Sequence, residues 1–220
     1  NSLDEAYQEL QKGAAILNGG TFISQNQNDI DCVVDISHLG LTGISKSAEN
    51  ISIAATTKLQ DLIEHPEIPD GLKKLIQWEK GLNLRNASSL VGTLLTSSGS
   101  SPLLAWLTCA NAKFICYPDN QTFEVNHTFN KNNKIITSIE IASNENVYYE
   151  TVSRAPADVV WVGVFLMRYQ QEKLRVVLCG FGTNLQTLDT DNSIKAIEEV
   201  ETLLINSHSQ YTNKFCSFTY

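Results

Sequence analysis

A loop with two adjacent glycines, Asn18-Gly19-Gly20-Thr21, follows directly after the apolar run of residues 14–17. Because glycine adopts positive φ without steric penalty, such a pair lets backbone N–H groups approach a ligand closely. The run before the loop predicts a short buried strand, and residues 32–36 predict a second one. Most glycine pairs after strands are plain turns, so the loop becomes informative only beside a second feature.

That second feature is the segment Arg85-Asn86-Ala87-Ser88-Ser89-Leu90-Val91-Gly92-Thr93, which is rich in small and polar residues. Residues 85–99 predict one long loop, whose backbone amides and hydroxyl groups are able to surround an anionic group. A serine-rich surface loop without a ligand is the alternative interpretation.

The remaining pattern predicts an α+β fold. Residues 2–12 have helical spacing, with Ser2 as N-cap and Glu5 completing a capping box. Thr57 is the predicted N-cap of a second helix. A polar break at residues 130–134 divides the chain into a domain of residues 1–130, with lobes of about 1–45 and 46–130, and a C-terminal sheet-plus-helix domain of residues 131–220. The predicted helices are 2–12, 57–63, 71–78, 103–110 and 193–205, and the predicted strands are 14–17, 32–36, 51–54, 112–117, 122–125, 135–141, 147–153, 159–169 and 174–180.

Charge and composition exclude several classes of function. A net charge of −8 argues against a nucleic-acid or anionic-membrane partner, because both require a basic surface. No apolar run is long enough for a membrane span, and the chain opens without a secretory signal, so we expect a cytoplasmic protein. Five scattered cysteines and four scattered histidines form no metal-binding spacing, which argues against a zinc site or an iron–sulfur cluster held by this chain. Asp35 and Asp158 are predicted to pair with Arg85 or Arg154.

The order and spacing of the two loops resemble a known family, the FAD-binding medium subunits of the molybdenum hydroxylases, which include carbon monoxide dehydrogenase and xanthine dehydrogenase. That family carries an AGGTD-like loop and, some 70 residues later, an RNxxTIGGN-like loop. Shorter matches lie in the same order along nearly the whole chain. They are Ser2-Leu3-Asp4-Glu5-Ala6, Val34-Asp35-Ile36-Ser37, Ile53-Ala54-Ala55-Thr56-Thr57, Ile136-Thr137-Ser138-Ile139, Val152-Ser153-Arg154-Ala155-Pro156-Ala157-Asp158 and Ser209-Gln210-Tyr211.

The resemblance implies a two-lobed FAD-binding domain followed by an antiparallel sheet with helix. It implies that FAD lies with its pyrophosphate across the two loops and that electrons pass between iron–sulfur clusters and an external acceptor. A sister subunit would carry those clusters, and a third subunit would hold the molybdenum cofactor. An isolated chain of this kind is also compatible with a homodimer. The implied cofactor-binding residues are Asn18, Gly19, Gly20, Thr21, Phe22, Arg85, Ser89, Val91, Gly92 and Thr93.

Several positions depart from the family pattern. Phe22 replaces the aspartate of the first motif, and Val91-Gly92-Thr93 replaces Gly-Gly-Asn of the second. If the position of Val91 requires positive φ, a β-branched residue there is strained by about 1 kcal/mol or more. Pro102 takes the place of an aspartate near the flavin. Two alternatives therefore stay open, a family member that has lost FAD and serves as a scaffold, and an unrelated α+β protein.

Overall fold

The computed structural model describes residues 2–25, 30–126, 128–129, 133–143, 146–153, 160–169, 173–191, 198–199 and 202. These residues form an α+β structure that includes six α-helices, a 3₁₀ turn at Ile23–Gln25 and three sheets, which confirms the predicted fold class. The helices are α1 (Leu3–Gln11), α2 (Leu59–Glu64), α3 (Asp70–Glu79), α4 (Leu82–Ala87), α5 (Leu90–Thr96) and α6 (Pro102–Cys109). The strands are β1 (Ala15–Leu17), β2 (Val33–Asp35), β3 (Ile44–Lys46), β4 (Asn50–Ala54), β5 (Lys113–Tyr117), β6 (Gln121–Glu124), β7 (Ile135–Ala142), β8 (Val147–Val152), β9 (Val162–Tyr169), β10 (Lys173–Cys179) and β11 (Gln186–Asp191).

The three sheets follow one another along the chain. β1 and β2 pair in parallel as a small two-stranded sheet. The middle sheet is antiparallel, with the strand order β3-β4-β7-β5-β6, and the last sheet is antiparallel, with the order β11-β10-β9-β8. The small parallel sheet and the middle sheet form the two walls between which the candidate site lies.

The N-terminal unit is held by a cap and a small apolar cluster. Ser2 accepts a hydrogen bond from the N–H of Glu5, whose carboxylate accepts one from the N–H of Ser2, so the predicted capping box is confirmed. Ala6 of α1 packs with Ile36 and with Ile135 at the start of β7. Because Ile135 belongs to the middle sheet, this cluster joins the N-terminal unit to it.

Helix α6 forms the centre of the main core. All eight of its residues are buried, including Trp106 and Leu107, and the helix contacts α3, β9 and β10. Ser101 caps it through a hydrogen bond from the N–H of Leu104. A helix that is apolar on every face is stable only when it is covered on every face, and here helix and sheet provide that cover.

A buried carboxyl group supports the start of the same helix. Glu79, at the end of α3, accepts hydrogen bonds from the hydroxyl of Ser101 (2.8 Å) and the N–H of Leu103 (3.2 Å). Burial raises the pKa of Glu79 above its ordinary value of 4.5, although both hydrogen bonds act in the opposite direction. The carboxyl group thus joins α3 to the first turn of α6.

Two local predictions are wrong. Residues 85–99 are not one long loop, because α4 and α5 occupy most of them. α5 forms because Ser89 caps it and because Leu90 and Leu94 are buried in the core. Thr57 is not the N-cap of α2, which begins after Lys58; the Thr57 hydroxyl instead bonds the backbone of Gly43.

The strand of residues 135–141 is confirmed, but its predicted place in the C-terminal sheet is wrong. β7 lies between β4 and β5, so the change of sheet comes after Ala142 and not at the predicted boundary near residue 130. The sequence analysis missed two strands, β3, which is only three residues long, and β11, whose residues are mostly polar. Of the predicted helix of residues 193–205 only residues 198, 199 and 202 are described, and these are helical. The matches at 154–158 and 209–211 lie outside the described residues.

The burial of α6 leads to a stability prediction. Leu107→Ala should lower the free energy of unfolding by about 2–5 kcal/mol, because it removes a fully buried side chain and leaves a cavity. Leu82→Ala, at a position that is 55% exposed, should change it by less than about 1 kcal/mol. Urea unfolding of both variants provides the comparison, and equal losses would contradict a core centred on α6.

The raised pKa of Glu79 leads to a prediction about pH. The folded state binds this proton more tightly than the unfolded chain does. The contribution of Glu79 to the free energy of unfolding is therefore fully present below pH 4.5, and it is lost as pH rises through the folded-state pKa. Glu79→Gln keeps an acceptor for Ser101 and Leu103 but does not ionise, so the stability of wild type relative to this variant should fall as pH rises. Urea midpoints that run parallel across this pH range would contradict the prediction.

Candidate functional site

The two segments singled out by the sequence lie against each other. They are the loop of residues 18–22 and the segment of residues 85–93, and both keep the name loop below. The hydroxyls of Thr21 and Ser88 are 3.1 Å apart, within hydrogen-bonding distance. A Cβ atom added to Gly19 would lie only 2.1 Å from the carbonyl oxygen of Ala87, so only glycine permits this approach. The first loop is therefore fitted directly onto the segment that connects α4 to α5.

Backbone conformation explains why both glycines of the first loop are needed. Gly19 and Gly20 have φ values of +71° and +68°, in the left-handed region that favours glycine. Two successive residues in this region turn the chain sharply after β1. The turn directs the Asn18–Phe22 loop towards the α4–α5 connection, where Thr21 meets Ser88.

The second segment presents the first turn of α5 instead of an open loop. The Ser89 hydroxyl accepts a hydrogen bond from the N–H of Gly92 (3.2 Å), and the Thr93 hydroxyl donates to the carbonyl of Ser89 (2.9 Å). Val91 lies within this helix and is not among the positive-φ residues, so the strain considered for Val91 is absent. This residue is buried and forms part of the wall described next.

A cleft of about 530 Å³ lies between the two loops, β1, α5 and the start of β7. This volume lies within the range of pockets that hold small molecules and cofactors. Seven of the predicted residues line it, namely Asn18, Gly20, Thr21, Phe22, Ser89, Val91 and Gly92. Gly19, Arg85 and Thr93 do not. Gly19 acts through the approach to Ala87, and Thr93 through its bond within α5.

The charge of the cleft differs from that of the whole chain. The chain has 24 acidic residues, yet none of the described residues lining the cleft is acidic. Lys134 is the charged residue among them, and its ammonium lies 5.1 Å from the centre of the Phe123 ring. A wall without carboxylates favours an anionic ligand over a cationic one, and Lys134 adds a positive charge near it.

Asn18 adds an unsatisfied polar group to the same wall. Its side-chain nitrogen and oxygen are both buried, and neither has a hydrogen-bond partner. Buried polar groups in native proteins are nearly always paired, and leaving one unpaired costs about 1–3 kcal/mol. A ligand that this side chain reaches on rotation would recover that free energy.

Arg85 has a structural place outside the cleft. It donates hydrogen bonds to the side-chain oxygen of Gln60 (3.0 Å) and to the carbonyl of Lys80 (3.0 Å), so its predicted pairing with Asp35 is wrong. Asp35 is bonded instead by the hydroxyl and N–H of Ser37, and these bonds lower its pKa. The arginine of the second motif therefore holds α4 in position.

Three residues near the loops were missed by the sequence analysis. Ser88 belongs to the second segment, but the sequence does not predict its bond to Thr21. Lys134 stood in the polar break of residues 130–134, and only the pairing of β7 brings it to the cleft. Lys58 lies directly before α2, and its ammonium donates a hydrogen bond to the carbonyl of Ala87 (2.8 Å). A lone lysine carries no sequence signal for such a position.

Other kinds of site find no support within the described residues. No group of three or more potential metal ligands occurs among them, and none of their helices is long and apolar enough to cross a membrane. Burial raises the pKa of the Cys116 thiol to about 11 and that of the Cys179 thiol to about 12. Both thiols therefore stay protonated near neutral pH and pack as small apolar groups.

Solved structures share this fold over most of the chain. Quinoline 2-oxidoreductase from Pseudomonas putida 86 superimposes with a TM-score of 0.77 at 16% identity, covering 98% of this chain and 87% of that one. Carbon monoxide dehydrogenase from Hydrogenophaga pseudoflava, in a form lacking the Mo-pyranopterin moiety, superimposes with a TM-score of 0.75 at 18% identity. The match covers 93% of this chain and 84% of that one. Reconstituted CO dehydrogenase from Oligotropha carboxidovorans superimposes with a TM-score of 0.68 at 17% identity, and the match covers 84% of this chain and 74% of that one. Identities this low establish the shared fold alone.

The family assignment comes from the sequence. No curated protein sequence matches the chain. The family model described as the FAD binding domain in molybdopterin dehydrogenase matches residues 1–141, which is more than half of the 220 residues. The cleft described above lies wholly within that matched range. The chain therefore belongs to the FAD-binding domains of the molybdopterin dehydrogenases, a family of flavin-dependent oxidoreductases with FAD as cofactor.

Proposed function

We propose that this chain holds FAD in the cleft between its two loops and serves as the electron-transfer subunit of a molybdenum hydroxylase complex. In such a complex it passes electrons between the iron–sulfur clusters of a sister subunit and an external acceptor. A third subunit holds the molybdenum cofactor and carries out the substrate chemistry. When bound, FAD supplies the redox chemistry, and the protein contributes binding and orientation.

The observation that carries this proposal is the meeting of the two loops on a cleft free of described acidic side chains. The fit to FAD rests on three features of the chain. Gly19 and Gly20 open the backbone to close approach, the hydroxyls of Thr21 and Ser88 lie side by side, and Lys134 supplies a positive charge. Backbone amides and hydroxyl groups are the donors that phosphate oxygens require.

Two motif positions that depart from the family pattern, Val91 and Phe22, are also compatible with bound FAD. Val91 adopts a helical conformation without strain, and its buried side chain provides apolar wall. Phe22, which replaces an acidic residue, removes a negative charge from the cleft. The alternative of a scaffold that has lost FAD is not favoured, because neither Phe22 nor Val91 closes the cleft or introduces a repulsive charge, and Thr93 and Pro102 do not line it.

The kind of partner follows from the family and from the neighbours in structure. Two of those neighbours are described as carbon monoxide dehydrogenases, one of them in connection with a molybdenum cofactor. We infer that this chain assembles with iron–sulfur and molybdenum subunits in the cytoplasm and forms a homodimer when isolated from them. We also infer a division into an FAD-binding domain and a C-terminal domain.

Titration with FAD tests the proposal directly. The purified chain should bind one FAD per molecule, become yellow with an absorbance band at ~450 nm, and gain thermal stability as ligand is added. Calorimetry and visible spectroscopy measure stoichiometry and affinity. A colourless protein that takes up no FAD and shows no thermal shift would overturn the assignment of the cleft.

A matched pair of glycine variants tests the loop geometry. Gly19 and Gly40 have nearly the same φ, +71° and +72°, but a Cβ would clash with Ala87 only at Gly19 and would meet nothing within 4 Å at Gly40. Both alanine variants should lose about 1–2 kcal/mol of stability from the backbone conformation. Only Gly19→Ala should lose more than this and bind FAD at least about tenfold more weakly. Equal FAD affinities in the two variants would remove the loop contact from the proposal.

A further inference from the structure

Lys58 occupies the junction of the two loops through both its backbone and its side chain. The N–H of Leu59 donates to the carbonyl of Ser88 (3.0 Å), and the N–H of Leu90 donates to the carbonyl of Thr57 (3.3 Å). These bonds and the β-bridge between Lys58 and Ser89 fasten the start of α2 to the start of α5. The side chain of Lys58 is thereby held beside the loops.

The ammonium group reaches the point where the loops touch. It donates to the carbonyl oxygen of Ala87 at 2.8 Å, which is the oxygen that Gly19 approaches so closely. A Cβ on Gly19 would also lie 3.2 Å from this nitrogen. Lys58 therefore contacts the second segment directly and lies against the backbone of the first.

Among the described residues, this ammonium has no carboxylate partner at ion-pair distance. Asp35 is close enough to respond to it, but the pKa of Asp35 is lowered mainly by its bonds from Ser37, and the charge of Lys58 contributes least. The Ala87 bond uses one of the three N–H donors of the ammonium, which leaves positive charge available beside the loops.

From this arrangement we propose that Lys58 is the cationic clamp of the two loops that would hold the cofactor's pyrophosphate, because it fastens these loops together and places a positive charge behind them. The inference rests on the proposed binding of FAD in this cleft. An ammonium is a compact charge well suited to phosphate oxygens. Lys58 does not line the cleft itself, so it acts as a positioning residue and through its electric field.

The test compares Lys58→Met, which removes the charge but keeps an unbranched stem, with Lys58→Arg, which keeps the charge. Lys113→Met is the control, since Lys113 is exposed on β5, away from the cleft. Probes are FAD, ADP, which has the pyrophosphate without the flavin, and riboflavin, which has the flavin without phosphate. Affinities are measured for each protein at low and high salt.

Lys58→Met should bind FAD and ADP roughly tenfold more weakly, because it loses the cation behind the loops and the bond to the Ala87 carbonyl. Its FAD affinity should also depend less on salt, because salt screens only charge–charge attraction. Lys58→Arg should retain most of the affinity and the salt dependence, and Lys113→Met should match wild type. Urea unfolding verifies that each variant is folded.

Two outcomes would overturn the inference while the proposed function stands. One is equal FAD affinity in wild type and Lys58→Met. The other is an equal loss for FAD, ADP and riboflavin with unchanged salt dependence, which would leave Lys58 as a structural tether only. Failure of wild type itself to bind FAD and ADP would instead overturn the proposed function, and the clamp with it.

Discussion

The approach of the Gly19 backbone to the carbonyl of Ala87 is the contact on which the candidate site depends. It is possible only because Gly19 has no side chain and adopts positive φ. Through it the loop after β1 meets the connection between α4 and α5, and the Thr21–Ser88 contact and the Lys58 bond form around it. Without this approach the two loops would not meet beside the cleft.

Electrostatics give this cleft a character that the whole chain lacks. The chain carries a net charge of −8, which in general repels an anionic ligand. Among the described residues, however, the cleft has no carboxylate, and lysines lie on its wall and behind its loops. Segregation of charge of this kind allows an acidic protein to accept a dinucleotide, because the field at short range outweighs the screened field of distant charges.

Much of the fold could be predicted from periodicity and capping. The α1 helix, the β5–β6 hairpin and the strands from β7 to β10 follow from apolar spacing, and Ser2 with Glu5 identified the first cap. The failures have physical causes. Residues 85–99 look like a loop because serine and glycine have low helix propensity, yet burial of Leu90 and Leu94 stabilises α5. The place of β7 was missed because strand pairing between distant segments leaves no local pattern.

The sequence by itself determined the family, the fold class and the positions of the two loops, since these depend on local residue types and on their order along the chain. Tertiary structure decided which residues of those loops line the cleft and which only support it. The side chains of Arg85 and Thr93 form hydrogen bonds with nearby backbone carbonyls and do not face the cleft. Packing also brings two lysines to the site from outside the motifs, Lys134 and Lys58. The reason is that side-chain direction and long-range pairing arise from packing, which spacing along a single chain does not encode.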